Sequence, residues 1–162
     1  MKAGILTISD KGARHERVDA SGPAVASLLS DIGAVVEKYE IIPDEIDIIK
    51  EKLEQYADAF HLDLVVTTGG TGVAPRDVTP DATRMVIERD IPGIAEAMRL
   101  ESLKKTPHAV ISRAMAGIRG KTLIINLPGS PKAAQENLAA ILKAIPHAIS
   151  KIQGDLSECA SS

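Results

Sequence analysis

The stretch "TTGGTGVAPRDVTPDAT", residues 67–83, concentrates groups that can handle an anion. Gly69, Gly70 and Gly72 let main-chain N–H groups approach a ligand closely and Thr71 adds a hydroxyl donor, so the run suits a phosphate or diphosphate. A plain tight turn is the ordinary alternative. The run has neither the GK[ST] of a P-loop nor GxGxxG spacing, which disfavours a standard NTPase or dehydrogenase. Asp77 follows beside Arg76, and its ordinary role would be an ion pair with that neighbour. Thr79, however, offers a cap for a helix beginning at Pro80, which leaves the aspartate free to point elsewhere. A second carboxylate, Asp44, follows Pro43 and precedes an apolar helical stripe, where capping is its ordinary role. If both face one crevice, Asp44 and Asp77 can hold a hydrated Mg²⁺ that shares oxygens with a substrate phosphate, chemistry suited to phosphoryl or nucleotidyl transfer.

A second small-residue loop, Gly129, Ser130 and Pro131, precedes another helical pattern, and Ser9 follows the first apolar run. Ser112 and Arg113 can bind phosphate or carboxylate, although an exposed polar pair at a segment end is commonplace. His15, His61, His108 and His147 are scattered without HxH, HExxH or a cysteine partner, so neither a zinc site nor a Ser-His-Asp triad is indicated.

Positioning these residues falls to a strand–helix alternation. Strands are expected at residues 3–9 ("AGILTIS"), 34–42 ("AVVEKYEII"), 63–68 ("DLVVTT") and 122–126. Between them, Ser21-Gly22-Pro23 opens a helix with Val25, Leu28, Leu29 and Ile32 on one face. Ile46, Ile49, Leu53, Ala57 and Phe60 mark a second helix running to residue 60. Thr79-Pro80-Asp81, "IPGIAEAMRLESL" and Ser130-Pro131 begin three more; residues 104–120 give no clear pattern. Such βαβ units predict an α/β fold, a three-layer sandwich whose mainly parallel central sheet is covered by helices on both faces. Ligands of open parallel sheets bind outside the carboxyl ends of the strands, where Ser9, Asp44, the 69–77 loop and the 127–131 loop all fall.

Length and composition fit one domain, residues 1–152, with a polar tail at 153–162. Only 2% of residues are aromatic and none is Trp, so the core must be Ile, Leu, Val and Ala, and base stacking on aromatic platforms is disfavoured. A net charge of -3 argues against holding nucleic acid or an anionic membrane by bulk charge. The single cysteine, Cys159, has no partner for a disulfide, and the N-terminus has no signal-peptide pattern; a cytoplasmic setting is expected.

With "IPDE" upstream, "TTGGTG" and "RDVTPDAT" in the middle and "LIINLPGSPKA" downstream, the chain resembles the molybdopterin adenylyltransferases of the MogA/MoaB type. The resemblance implies Mg²⁺, with ATP and molybdopterin as substrates, and adenylylation of the molybdopterin phosphate with release of pyrophosphate. It places the two functional aspartates at Asp44 and Asp77, Asp77 being the stronger expectation. It assigns phosphate to Gly69–Gly72, the nucleotide or pterin pocket to Gly129–Pro131, and the pterin phosphate to Ser112. It also implies a homo-oligomer, with a trimer favoured, and a molybdenum-insertion enzyme as partner. A carrier or interaction module of the same fold that binds molybdopterin without adenylylating it is the alternative; a nucleotide hydrolase on the same crevice is a third.

Overall fold

Six strands form one sheet in the order β2-β1-β3-β6-β5-β4 in the computed structural model, which describes residues 1–155. Strands β1 (Lys2–Ile8), β2 (Val35–Ile42), β3 (Leu64–Thr68) and β6 (Thr122–Leu127) run parallel. Two short strands, β4 (Arg89–Asp90) and β5 (Ala116–Arg119), add an antiparallel edge.

Side chains alternate across the sheet and both faces are covered, which is why the central strands read as unbroken apolar runs. Ala3, Ile5, Leu64, Val66, Leu123 and Ile125 face one layer of helices: α2 (Ser21–Ser30), α5 (Pro92–Leu103), α6 (Pro131–Ile141) and α7 (Ile145–Ile152). Leu6, Ile8, Val65 and Ile124 face the other, α3 (Ile46–Glu54) and α4 (Thr79–Val86). A one-turn helix, α1 (Asp10–Ala13), follows β1 directly. The three-layer, mainly parallel α/β expectation is what forms.

Local differences have local causes. The second helix does not continue regularly to residue 60; after Glu54 it widens into a π-helical turn, Gln55–Ala59, closed by the Phe60 N–H donating to the Gln55 carbonyl at 3.1 Å. That turn drops Tyr56 and Ala57 into the core. The patternless residues 104–120 become a 3₁₀ turn, Pro107–Ile111, whose start is capped by Thr106, and then β5. A two-residue turn joins β5 to β6, Arg119 pairing with Thr122. Of the expected tail, Gln153 donates to Asp63 at 2.6 Å, and Cys159 lies outside the described residues.

Candidate active site

Four loops at the carboxyl edge of the parallel strands enclose a cavity of ≈ 350 Å³. From the end of β1 comes Ser9, which caps α1 by accepting from the Gly12 N–H at 3.1 Å. From the end of β2 comes Asp44, and from the end of β3 come Gly69 and Gly70. The loop after β6 supplies Gly129, Ser130 and Pro131; Ser130 caps α6 by accepting from the Ala133 N–H at 3.4 Å.

Gly69 makes the turn possible. Its φ is 107°, and a Cβ there would overlap the Ile8 carbonyl oxygen on the neighbouring strand. Among the described residues the N–H groups of Gly70, Thr71, Gly72, Gly129 and Ser130 have no protein acceptor, so the two loops present a set of free donors at one sheet edge.

Asp44 and Asp10 bind each other's backbone: the Asp10 N–H donates to Asp44 Oδ2 at 2.9 Å and the Asp44 N–H to Asp10 Oδ1 at 3.1 Å. Asp44 therefore does not take its ordinary role at the start of α3, where Glu45 stands in the cap position without a side-chain bond. Burial pushes the Asp44 carboxyl above its ordinary 3.8. The Asp10 N–H and the Arg76 charge oppose that rise, and the Asp10 and Asp77 carboxylates add to it.

Arg76 does not pair with Asp77. Its guanidinium spans Asp10 and Glu45, both at 2.9 Å, across the mouth of the β1 and β2 loops. Asp77 instead closes its own turn by accepting from the Ala74 N–H at 2.8 Å, with its carboxylate against Gly72. Thr71, Gly72, Asp77 and Ser112 stand outside the cavity lining. Thr71 is buried and its carbonyl accepts from the Arg113 N–H at 2.8 Å, which ties the glycine loop to the segment bearing Ser112. The Ser112 hydroxyl accepts from the Ala114 N–H at 3.4 Å, and the Arg113 side chain holds Asp81 and the Asp77 carbonyl.

The helix at residue 79 starts differently from expectation. Val78 holds the cap position and Thr79 is the first helical residue, fully buried, its hydroxyl without a partner and packed on Gly70. An unpaired buried hydroxyl costs free energy, so Thr79→Val, which keeps the shape, should raise stability by about 1 kcal/mol. In thermal denaturation that is a gain of roughly 2–4 °C; a fall in melting temperature would show that the hydroxyl is satisfied in solution.

In the first loop, sequence reasoning found Ser9 but missed Asp19 and Arg17. Asp19 lines the cavity and accepts from Thr7 Oγ1 at 2.6 Å, from the Ser21 and Gly22 N–H groups at 2.8 and 3.2 Å, and from the Tyr39 hydroxyl. Burial works to raise its carboxyl, but these donations outweigh it and hold it below the usual range. Asp19, and not Ser21, thus satisfies the start of α2, while the Ser21 hydroxyl donates to the Gly129 carbonyl at 3.2 Å. An aspartate two residues before Ser-Gly-Pro was the available signal. Arg17 also lines the cavity and carried no signal at all.

Among the described residues no group of three or more His, Cys, Asp or Glu could hold a metal by itself. Asp44 stands against Gly70 and Asp77 against Gly72, so two half-buried carboxylates flank one glycine turn, which fits a hard cation such as Mg²⁺ that takes one or two carboxylates and completes its shell from water and substrate phosphate.

An open, mainly parallel α/β sheet with two small-residue loops at its carboxyl edge is a fold of the doubly wound class, whose ligands bind at that edge. The chain belongs to the family described as probable molybdopterin binding domain, whose model matches residues 4–147. It is 46% identical over 154 residues to a molybdopterin adenylyltransferase of Helicobacter pylori (strain J99), covering 94% of this chain and 88% of that one. It is 38% identical over 176 residues to the molybdopterin adenylyltransferase of Escherichia coli (strain K12), covering 99% and 89%. Among solved structures, the molybdopterin biosynthesis enzyme MoaB of Thermus thermophilus superposes with a TM-score of 0.90 at 52% identity, covering 95% of this chain and 97% of that one.

Proposed function

We propose that this chain is a molybdopterin adenylyltransferase acting in molybdenum cofactor biosynthesis, with Mg²⁺-ATP and molybdopterin as its substrates. The observation that carries the reading is the meeting of Asp44, the Gly69–Gly70 turn and the Gly129–Pro131 loop on one cavity, in a chain similar over most of its length to enzymes of that name.

A terminal phosphate oxygen of molybdopterin attacks the α-phosphorus of ATP, a new P–O bond forms, the bond to the β-phosphate oxygen breaks, and pyrophosphate leaves. No protein nucleophile is required. The free N–H groups of the two glycine loops offset charge on the phosphoryl oxygens, and the rigid sheet edge aligns the attacking and leaving groups. Asp44 and Asp77 would hold Mg²⁺, which neutralises phosphate charge when bound. Ser9 and Ser130 contribute hydroxyls to substrate positioning, Thr71 holds the glycine loop from behind, and Ser112, beyond the tied loop, would meet the pterin side. Among the described residues no helix is long and apolar enough to cross a membrane. A homo-oligomer that passes its product to a molybdenum-insertion enzyme completes the reading.

The test is incubation of the purified chain with molybdopterin, ATP and Mg²⁺, with chromatographic detection of adenylyl-molybdopterin and pyrophosphate. Mg²⁺-dependent formation of both is expected. Molybdopterin binding without product would sink the enzyme reading in favour of a carrier, and ATP turnover without molybdopterin would point to a hydrolase.

A further inference from the structure

We propose that Arg17 is a catalytic residue that binds the β- and γ-phosphates of the nucleotide and stabilises the departing pyrophosphate. This rests on the adenylyltransferase reading. Among the described residues, Arg17 is the one cation that lines the cavity, where it stands with two carboxylates, Asp19 and Asp44. A triphosphate entering there meets N–H groups, which are neutral, and carboxylates, which repel it. As the bond between the α-phosphorus and the bridging oxygen breaks, negative charge gathers on the leaving pyrophosphate. A guanidinium, planar and permanently charged, is suited to take that charge through paired hydrogen bonds.

The cation is also uncommitted. Four arginines, by contrast, are held in ion pairs: Arg14 by Glu16, Arg76 by Asp10 and Glu45, Arg113 by Asp81, Arg119 by Asp58. Arg17 has no ion pair or side-chain hydrogen bond among the described residues. Its root is nevertheless anchored, because Asp19, two residues on, is fixed by donors from β1, β2 and the start of α2. A free charge on a tethered loop at the cavity rim can meet a ligand without first breaking a protein contact.

Three measurements on the native chain, Arg17→Ala and Arg17→Lys test this: kcat/KM for ATP in adenylylation, and calorimetric Kd values for inorganic pyrophosphate and for AMP. Loss of a charge-assisted contact predicts that Arg17→Ala lowers kcat/KM by about 10- to 100-fold and weakens pyrophosphate by a similar factor. AMP affinity and melting temperature should stay as in the native chain, and Arg17→Lys should recover part of the loss. Unchanged pyrophosphate affinity in Arg17→Ala, or an equal loss for AMP, would overturn the proposal. Failure of the native chain to form adenylyl-molybdopterin would count against the enzyme reading, while the pyrophosphate arm still reads Arg17 directly.

Discussion

Exchange of Asp44 for asparagine should lower adenylyl-molybdopterin formation by on the order of 10²- to 10³-fold, the scale of losing one group that stabilises charge in a transition state. The folded protein should be no less stable for it. Asn keeps an oxygen to accept the Asp10 N–H, so the link between the β1 and β2 loops survives. Asp44 has a folded-state pKa raised above 3.8, chiefly by burial, so the native state holds that proton more tightly than the unfolded chain does. Ionised Asp44 therefore opposes folding: the penalty is absent below about pH 3.8, grows as pH rises toward the raised pKa, and is fully present above it. Denaturation curves at pH 7 should place Asp44→Asn at or above the native chain, and the advantage should vanish near pH 3. Activity and stability moving in opposite directions would identify a carboxylate kept for chemistry; a destabilised mutant would reassign it to architecture. Asp77→Asn, measured beside it, should also lose activity, because Asn can still accept the Ala74 N–H while the charge is gone.

Gly69→Ala is expected to damage the fold itself. Alanine would have to adopt φ near 107° with its methyl group overlapping the Ile8 carbonyl oxygen, and that oxygen belongs to the backbone at the end of a buried strand. Strain of this kind costs about 3 kcal/mol, or roughly 6–12 °C in melting temperature for a chain of this size. Differential scanning calorimetry reads this without any substrate. A Gly69→Ala protein that melts with the native chain would mean that the β1 and β3 ends separate more readily than their packing indicates.

The site was legible where it obeys rules that act over a few residues. That Ser9, Asp44, Gly69, Gly70, Gly129, Ser130 and Pro131 would meet on one cavity could be read because each follows an apolar, β-branched run, and topology brings the ends of parallel strands to one edge. What escaped depends on partners distant in sequence. Asp19 matters through Thr7 and Tyr39, on two different strands, and nothing near residue 19 reports them. Arg76 adjoins Asp77 in sequence but turns to Asp10, 66 residues away, because the turn closed by Asp77 directs the two side chains apart. Thr79 has the type and spacing of a cap, yet the chain enters the helix one residue earlier and buries its hydroxyl. The antiparallel edge went unread because its strands are two and four residues long, too short for a period to show.

The bond between Tyr39 and Asp19 gives the molecule an optical handle. Without tryptophan, near-ultraviolet absorption and emission come chiefly from two tyrosines in unlike places. Tyr56 is sealed in the core with its hydroxyl on Glu40, whereas Tyr39 is partly exposed and touches a carboxylate of the cavity wall. Desolvation, and then the Asp19 charge and hydrogen bond, push the Tyr39 phenol up to about 12, and burial raises Tyr56 further still. Neither ring forms phenolate over the range in which phosphate ligands are handled. A change in tyrosine emission on adding inorganic pyrophosphate, which does not absorb in this range, therefore reports the surroundings of Tyr39, at the wall of the cavity, with no dye attached.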